Sequence, residues 1–220
     1  MDEDHTRRTR KAVESIIAER GAELVAAYYS KPWFTGRLFD DLGDNDPVSF
    51  TPDDVVAASL LDVRFGPQAV RALLIDQRAS ELLAAIPPNV ALWAVGEKEY
   101  DAVLGRGSAA WRLWDHLMGI PGIGGTRASK VLARKRPALM PILDSVVRER
   151  VRLGKVDAWA SFHALLQDSE LRARIDALAH GDLPPEVRPS TLRLLDVATW
   201  MRYSQSRNAL KVRKHLGLPD

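Results

Sequence analysis

The residues best suited to chemistry lie in a short turn at 121–125, between two segments with helical spacing. A proline there fixes the direction of the chain, and glycines can adopt positive φ or let a ligand approach the backbone. A helix that begins at Gly125 presents backbone N–H groups without partners, and its dipole adds to their attraction for an anion. The turn therefore predicts a phosphate-binding site formed by Pro121, Gly122, Ile123, Gly124 and Gly125.

Basic side chains follow the turn at the spacing of a helix. Arg127, Lys130 and Arg134 lie three and four residues apart, so they share one face of the predicted helix, whereas Ala128 and Val131 belong to an apolar stripe. Positive charge continues directly after this helix. We expect a phosphate bound at the turn to be surrounded by five cations: Arg127, Lys130, Arg134, Lys135 and Arg136.

The segment before the turn completes a two-helix motif. Ser108 can cap a helix in which Leu113 and Leu117 recur at helical spacing. Together with the helix after the turn, this segment predicts a helix-hairpin-helix over residues 108–134, a motif that grips the backbone of nucleic acid. The alternative is a glycine-rich corner between two helices with a solvated basic face.

Composition limits the function classes. The chain has 220 residues, is 46% hydrophobic and carries no cysteine, which excludes disulfides, thiolate zinc sites and cysteine-ligated iron–sulfur clusters. We expect no metal and no cofactor. No apolar run approaches the roughly 20 residues of a membrane span, and the polar first residues lack the apolar core of a signal peptide. We therefore expect a cytoplasmic protein without a membrane partner.

Charge is distributed unevenly along the chain, although the net charge is only +2. Residues 1–110 contain 12 Lys/Arg against 18 Asp/Glu, and residues 111–220 contain 19 against 11. The basic half includes the predicted hairpin and a second basic cluster at 202–214, which suits sequence-independent contact with phosphates. A solvated terminal helix explains that cluster equally well.

Nearly every segment has the periodicity of a helix, and no alternating run indicates a strand. We predict an all-α, multi-helix globular fold, with the helices at 52–63 and 191–203 in the core and one long helix at 6–28. Neither loop, at 40–49 or at 181–189, is long enough to require a domain boundary. Residues 1–220 are therefore expected to form one compact unit, with two helical lobes as the alternative. The oligomeric state stays open.

Residues 122–144 resemble the core motif of the helix-hairpin-helix DNA glycosylases, the superfamily of endonuclease III. In that superfamily an Asp follows the hairpin by about twenty residues, ends a short proline-containing segment and begins a helix. Asp144 stands twenty residues after Gly124, directly after Pro141-Ile142-Leu143. A weaker match covers residues 51–64 and ends at Arg64, where the superfamily has a Gln.

This resemblance implies a fold of the helix-hairpin-helix glycosylase type, a DNA-repair role and double-stranded DNA as partner. It implies that a modified base is flipped out, that Asp144 stabilises the sugar cation or orients water, and that Arg64 fills the vacated stack. Bifunctional members form a Schiff base through a Lys where this chain has Thr126. Any glycosylase would therefore be monofunctional. An N-cap explains Asp144 without catalysis.

The stretches LARKRPALMPILDSVV, LRLLDVATWM and YYSKPWFTGRLF resemble an uncharacterised actinobacterial family, the domain of unknown function numbered 6308. Three hypotheses follow: a monofunctional glycosylase-like enzyme, a catalytically silent nucleic-acid-binding module, and a protein-interaction module. An aromatic group could line a base-stacking pocket or form core: Tyr28, Tyr29, Trp33, Phe34 and Phe39, with Arg37 as polar partner.

Overall fold

The computed structural model describes residues 3–154, 157–180, 183–184 and 186–219. Over these residues the chain forms α-helices and short 3₁₀ helices and no strand, so the predicted all-α class is confirmed. The α-helices, in chain order, are α1 (Glu3–Ala18), α2 (Gly21–Ser30), α3 (Pro52–Ser59), α4 (Pro67–Leu74), α5 (Arg78–Ala84), α6 (Tyr100–Val103), α7 (Ala109–Met118), α8 (Gly125–Lys135), α9 (Ser145–Arg150), α10 (Ala158–Leu166), α11 (Ser169–Asp176), α12 (Thr191–Tyr203) and α13 (Arg207–His215). The 3₁₀ helices are Thr35–Leu38, Leu92–Ala94 and Ala177–His180.

The chain divides into two compact units. Residues 1–37 and 141–220 form the terminal unit, and residues 38–140 form the middle unit. The sequence predicts one compact unit, with two helical lobes as the alternative. The predicted hairpin lies in the middle unit, whereas Asp144 belongs to the terminal unit.

Helix α12 forms the core of the terminal unit. It begins after Ser190, whose Oγ accepts a hydrogen bond from the Arg193 N–H at 3.2 Å, and it contacts α1, α2, α9, α11 and α13. Eleven of its thirteen residues are buried, including Arg193 and Asp196, which form an ion pair. The predicted core helix at 191–203 is therefore confirmed, with the same bounds.

The long helix predicted at 6–28 is two helices in the structure. The break lies at Arg20, which adopts φ 58° and precedes the first residue of α2, Gly21. A Cβ on Gly21 would lie 3.0 Å from Leu178 Cδ2, so the 3₁₀ helix Ala177–His180 approaches closely here and a larger residue would displace the Leu178 side chain. Periodicity alone cannot reveal this tertiary contact.

The middle unit packs α3 against α8, α5 against α7, and α7 against α8. Helix α3 begins with a capping box between Thr51 and Asp54 and ends at Ser59, earlier than the predicted 63, and Val56 on its outer face is 49% exposed. It is therefore shorter and less buried than the apolar sequence indicates. These helices bring both arms of the predicted hairpin together.

Candidate nucleic-acid interface

The turn between α7 and α8 is a hydrogen-bonded β-turn. The Ile123 N–H donates to the Ile120 carbonyl at 2.9 Å, and Gly122 adopts φ +87°. Proline at the second position and a positive φ at the third are the features of a type II turn, so Gly122 is required by the backbone. Ile123 is buried and fixes the turn to the unit, whereas Pro121, Gly122 and Gly124 are exposed.

Helix α8 begins without a side-chain cap. Gly124 is its N-cap residue with φ −100° and ψ 175°, and no heavy atom lies within 4 Å of the position that a Cβ would take. Among the described residues, the backbone N–H groups of Gly124, Gly125, Thr126 and Arg127 donate no hydrogen bond. These open donors and the helix dipole together form an anion-binding geometry.

Arg127 is the predicted cation that remains accessible beside the turn. Its Nε donates to the Arg64 carbonyl at 2.6 Å, and its two terminal nitrogens make no hydrogen bond within the described part of the chain. The Arg64 side chain is exposed in the segment that follows α3. The structure thus brings Arg64, the predicted stacking residue, next to the hairpin. Its role as a wedge stays a prediction.

The other four cations of the predicted phosphate site are buried, which corrects the expected exposed stripe. Lys130, Arg134, Lys135 and Arg136 are between 1% and 6% exposed. Lys130 Nζ donates to the Leu61 carbonyl at 2.5 Å, and the Arg134 guanidinium donates to the carbonyls of Phe39, Asp40 and Leu42. In this conformation their side chains hold the middle unit together and do not face solvent.

Lys135 lies against a buried carboxylate that the sequence analysis missed. Its Nζ donates to Asp54 Oδ2 at 2.7 Å, and both side chains are 0% exposed. Arg134 Nε approaches the other carboxylate oxygen at 3.4 Å. Burial lowers the pKa of the Lys135 amine from its ordinary value, while the contacts with Asp54 oppose that shift. The capping box between Thr51 and Asp54 fixes Asp54 at the start of α3, and nothing in that local pattern indicates a buried partner.

Arg136 binds the carboxyl end of α5. Its guanidinium donates to the carbonyls of Ile86 at 2.5 and 3.0 Å, Leu83 at 2.8 Å and Pro47 at 2.9 Å. A cation at this end satisfies carbonyls that a helix leaves without partners and complements the helix dipole. Burial lowers the pKa of Arg136 from its ordinary value. Arg136 therefore acts as a structural cap.

Asp144 is the N-cap residue of α9 in the terminal unit. Its Oδ1 accepts a hydrogen bond from the Val147 N–H at 2.9 Å, and the residue is half-buried. Its second carboxylate oxygen makes no hydrogen bond to any residue that the structure describes. The helix start expected from the sequence is present, and the carboxylate keeps one open oxygen.

The aromatic group near residue 30 is mostly core. Tyr28, Tyr29 and Phe34 pack together in the terminal unit and are at most 4% exposed, and Phe39 is buried in the middle unit. Trp33 differs, because 46% of it is exposed.

Neither a metal-binding cluster nor a membrane-spanning helix is found among the described residues. No group of three or more His, Asp or Glu residues among them could hold a metal ion. None of their helices has the length and apolar character needed to cross a membrane.

Comparison with known proteins identifies a family. A family model described as a family of unknown function, DUF6308, matches residues 21–203 of this chain, well over half of its length. No curated protein and no solved structure matches. The resemblance of the chain to that family, noted from three of its stretches, is thereby confirmed. The chain belongs to the DUF6308 family.

Proposed function

We propose that this protein binds nucleic acid, with duplex DNA as its ligand, and that a backbone phosphate occupies the turn at 121–125. The observation that carries the proposal is the uncapped start of α8, where four backbone N–H groups are open and no Cβ covers Gly124. Fixed N–H donors at a helix start are a common phosphate site because they add hydrogen bonds to the dipole. Such contacts position a protein on DNA without reading its sequence.

The burial of four of the five cations limits the electrostatic part of this binding. Arg127 is the one predicted cation whose terminal nitrogens are open beside the turn. Because each phosphate neutralised on a duplex contributes about −0.9 to the slope of log K against log salt, the turn alone should give a slope of about −1 to −2. Binding at this site is therefore expected to be weak and only modestly dependent on salt.

Replacing Gly124 by alanine should weaken duplex binding about tenfold, because the new methyl group would stand where the phosphate approaches the backbone. The backbone of Gly124 tolerates alanine, since its φ is −100° and the space around it is open. Fluorescence anisotropy with a labelled duplex at low salt measures the effect.

Gly66→Ala is the matched control for this experiment. Gly66 is the N-cap residue of α4 with φ −74° and ψ 170°, and it also has no atom within 4 Å of a Cβ position. Both variants lose the same N-cap preference, so only the phosphate site distinguishes them. Equal duplex affinity of the two variants and the unaltered protein would remove the hairpin from the proposal.

A second candidate function is monofunctional base excision at Asp144. The observation that favours it is a half-buried carboxylate held by Val147 with one oxygen open, at the position that the glycosylase resemblance assigns to the catalytic Asp. Such a carboxylate can stabilise the sugar cation or orient water. Thr126 carries no amine, so this chemistry has no Schiff-base step at that position.

Asp144→Asn is expected to lower single-turnover excision by about a thousandfold, because the amide keeps the cap but loses the negative charge. The assay measures abasic sites on a panel of duplexes with deaminated, alkylated or oxidised bases. Asp157→Asn is the matched control, since Asp157 caps α10 through the Trp159 N–H at 2.9 Å. Excision that survives in Asp144→Asn would contradict the catalytic role of Asp144. If the unaltered protein binds DNA but excises no base, it is a catalytically silent binding module.

A further inference from the structure

The exposed face of α13 is uniformly basic. Arg207, Lys211 and Lys214 lie at positions i, i+4 and i+7 of this helix, and all three are exposed. Residues 203–219 contain no Asp or Glu. Glu19 and Glu23 in the same unit pair with Arg202 and Arg20. We call the three exposed cations the α13 stripe.

Arginine side chains fix α13 and the residues after it to the rest of the terminal unit through hydrogen bonds to backbone carbonyls. Arg213 is fully buried and donates to the carbonyls of Met201 at 2.8 Å and Ser204 at 3.0 Å, at the end of α12. Arg202 donates to the Pro219 carbonyl at 3.1 Å, and Arg20 donates to the Leu216 carbonyl at 2.6 Å. The C-terminal part of the helix and the residues after it are thus held in place, while another face of the helix carries exposed charge.

An exposed tryptophan adjoins the stripe. Trp33 is 46% exposed, and the Lys211 ammonium lies 5.6 Å from the centre of its ring. Lys31, two residues earlier in the chain, is also exposed and adds a fourth cation next to the ring in sequence. The neighbouring rings of Tyr28 and Phe34 are buried, so core packing explains them but not Trp33.

We propose that Trp33 and the α13 stripe form a binding surface for single-stranded nucleic acid. Lysines and arginines along one helix face follow a strand's phosphates, and an exposed indole gives an unpaired base a flat partner for stacking. The surface lies in the terminal unit, whereas the hairpin belongs to the middle unit. The inference rests on the proposed function only in taking nucleic acid as the ligand. The α13 stripe supplies exposed positive charge that the hairpin lacks.

Charge reversal tests the stripe in the full chain. Arg207→Glu, Lys211→Glu and Lys214→Glu combined should weaken binding of a labelled 30-nucleotide dT strand by about tenfold or more and lower the salt slope by about 2. The matched control reverses Arg7, Arg8 and Lys11, which are exposed on α1 in the same unit and give the same change in net charge. Equal losses in both triple variants would overturn the inference, because net charge alone would then explain the effect.

Substitutions at Trp33 distinguish the contribution of base stacking from that of charge. Trp33→Ala should lower affinity for the single strand about tenfold and leave duplex affinity within twofold, whereas Trp33→Phe should retain most of the binding. Equal effects of Trp33→Ala on both ligands, or no effect on either, would overturn the inference. Stripe-dependent binding to phosphatidylserine vesicles without binding to the dT strand would also overturn it and identify an anionic membrane surface. If Gly124→Ala weakens duplex binding while the stripe variant binds the dT strand normally, this inference fails and the proposed function stands.

Discussion

Replacing Asp54 by alanine is expected to lower the free energy of unfolding by about 3–5 kcal/mol. The variant leaves the Lys135 ammonium in a site where its side chain is 0% exposed, and it removes the acceptor for the Thr51 N–H at 2.9 Å. A buried charge without its partner is costly because no water replaces the lost contact. Urea unfolding followed by circular dichroism measures the change.

Two further variants make this test specific. Asp53→Ala removes the neighbouring acid from the same first turn of α3, but Asp53 is half-exposed, so a loss of at most about 1 kcal/mol is expected. Combining Asp54→Ala with Lys135→Met should recover a large part of the stability, because the Lys135 ammonium is then no longer buried without its partner, whereas Arg134 keeps its hydrogen bonds to the carbonyls of Phe39, Asp40 and Leu42. If the free energy of unfolding of Asp54→Ala lies within about 1 kcal/mol of that of the unaltered protein, the ion pair of Asp54 and Lys135 does not stabilise the fold as proposed.

The buried cations change how mutations in α8 should be interpreted. Alanine at Lys135 or Arg136 removes a group that holds the middle unit together, so lost DNA binding in such a variant would report unfolding and not a lost phosphate contact. Arg127 and Gly124 are free of this problem, because both face the open start of the helix. They are therefore the positions at which hairpin binding can be tested without altering the core.

Local signals predicted the helices well where a cap or a break lies within the segment itself. The bounds of α12 are those expected, since Ser190 caps its own helix. The start of α8 was also correct because the turn before it contains Pro121 and Gly122. By contrast, the break at Arg20 adjoins Gly21, which packs against Leu178, a residue far away in the sequence.

The candidate site was predicted only in its backbone part. A stripe of Arg and Lys on a helix normally faces water, since such residues are rarely buried without partners. Around α8 the partners are carbonyls of Leu61, Phe39 and Ile86, which come from other parts of the middle unit. No spacing rule reveals them. A carboxylate at the start of α9 also fits either a cap or an active site, so the sequence left the role of Asp144 open.

Arg136→Ala should lower the free energy of unfolding by more than about 3 kcal/mol, because it leaves the buried carbonyls of Ile86 and Leu83 without their donor, removes the donor to the partly buried Pro47 carbonyl and leaves a void. The carbonyls of Ile86, Leu83 and Pro47 all receive hydrogen bonds from this one guanidinium, which is 1% exposed. Arg136→Lys should recover only part of the loss, since an ammonium cannot reproduce the planar fork. Urea unfolding measures the free energy of unfolding of the unaltered protein and of both variants.

Arg112→Ala is the matched control, because Arg112 is exposed and donates a single hydrogen bond, to the Gly107 carbonyl at 3.1 Å. A loss below about 0.5 kcal/mol is expected there. Similar losses for the two alanine variants would contradict the structural role of Arg136. Arg136 directly follows α8, and the open N–H groups lie at the other end of that helix, so a large loss at Arg136 would mean that its cap on α5 also fixes the helix that begins at the proposed phosphate site.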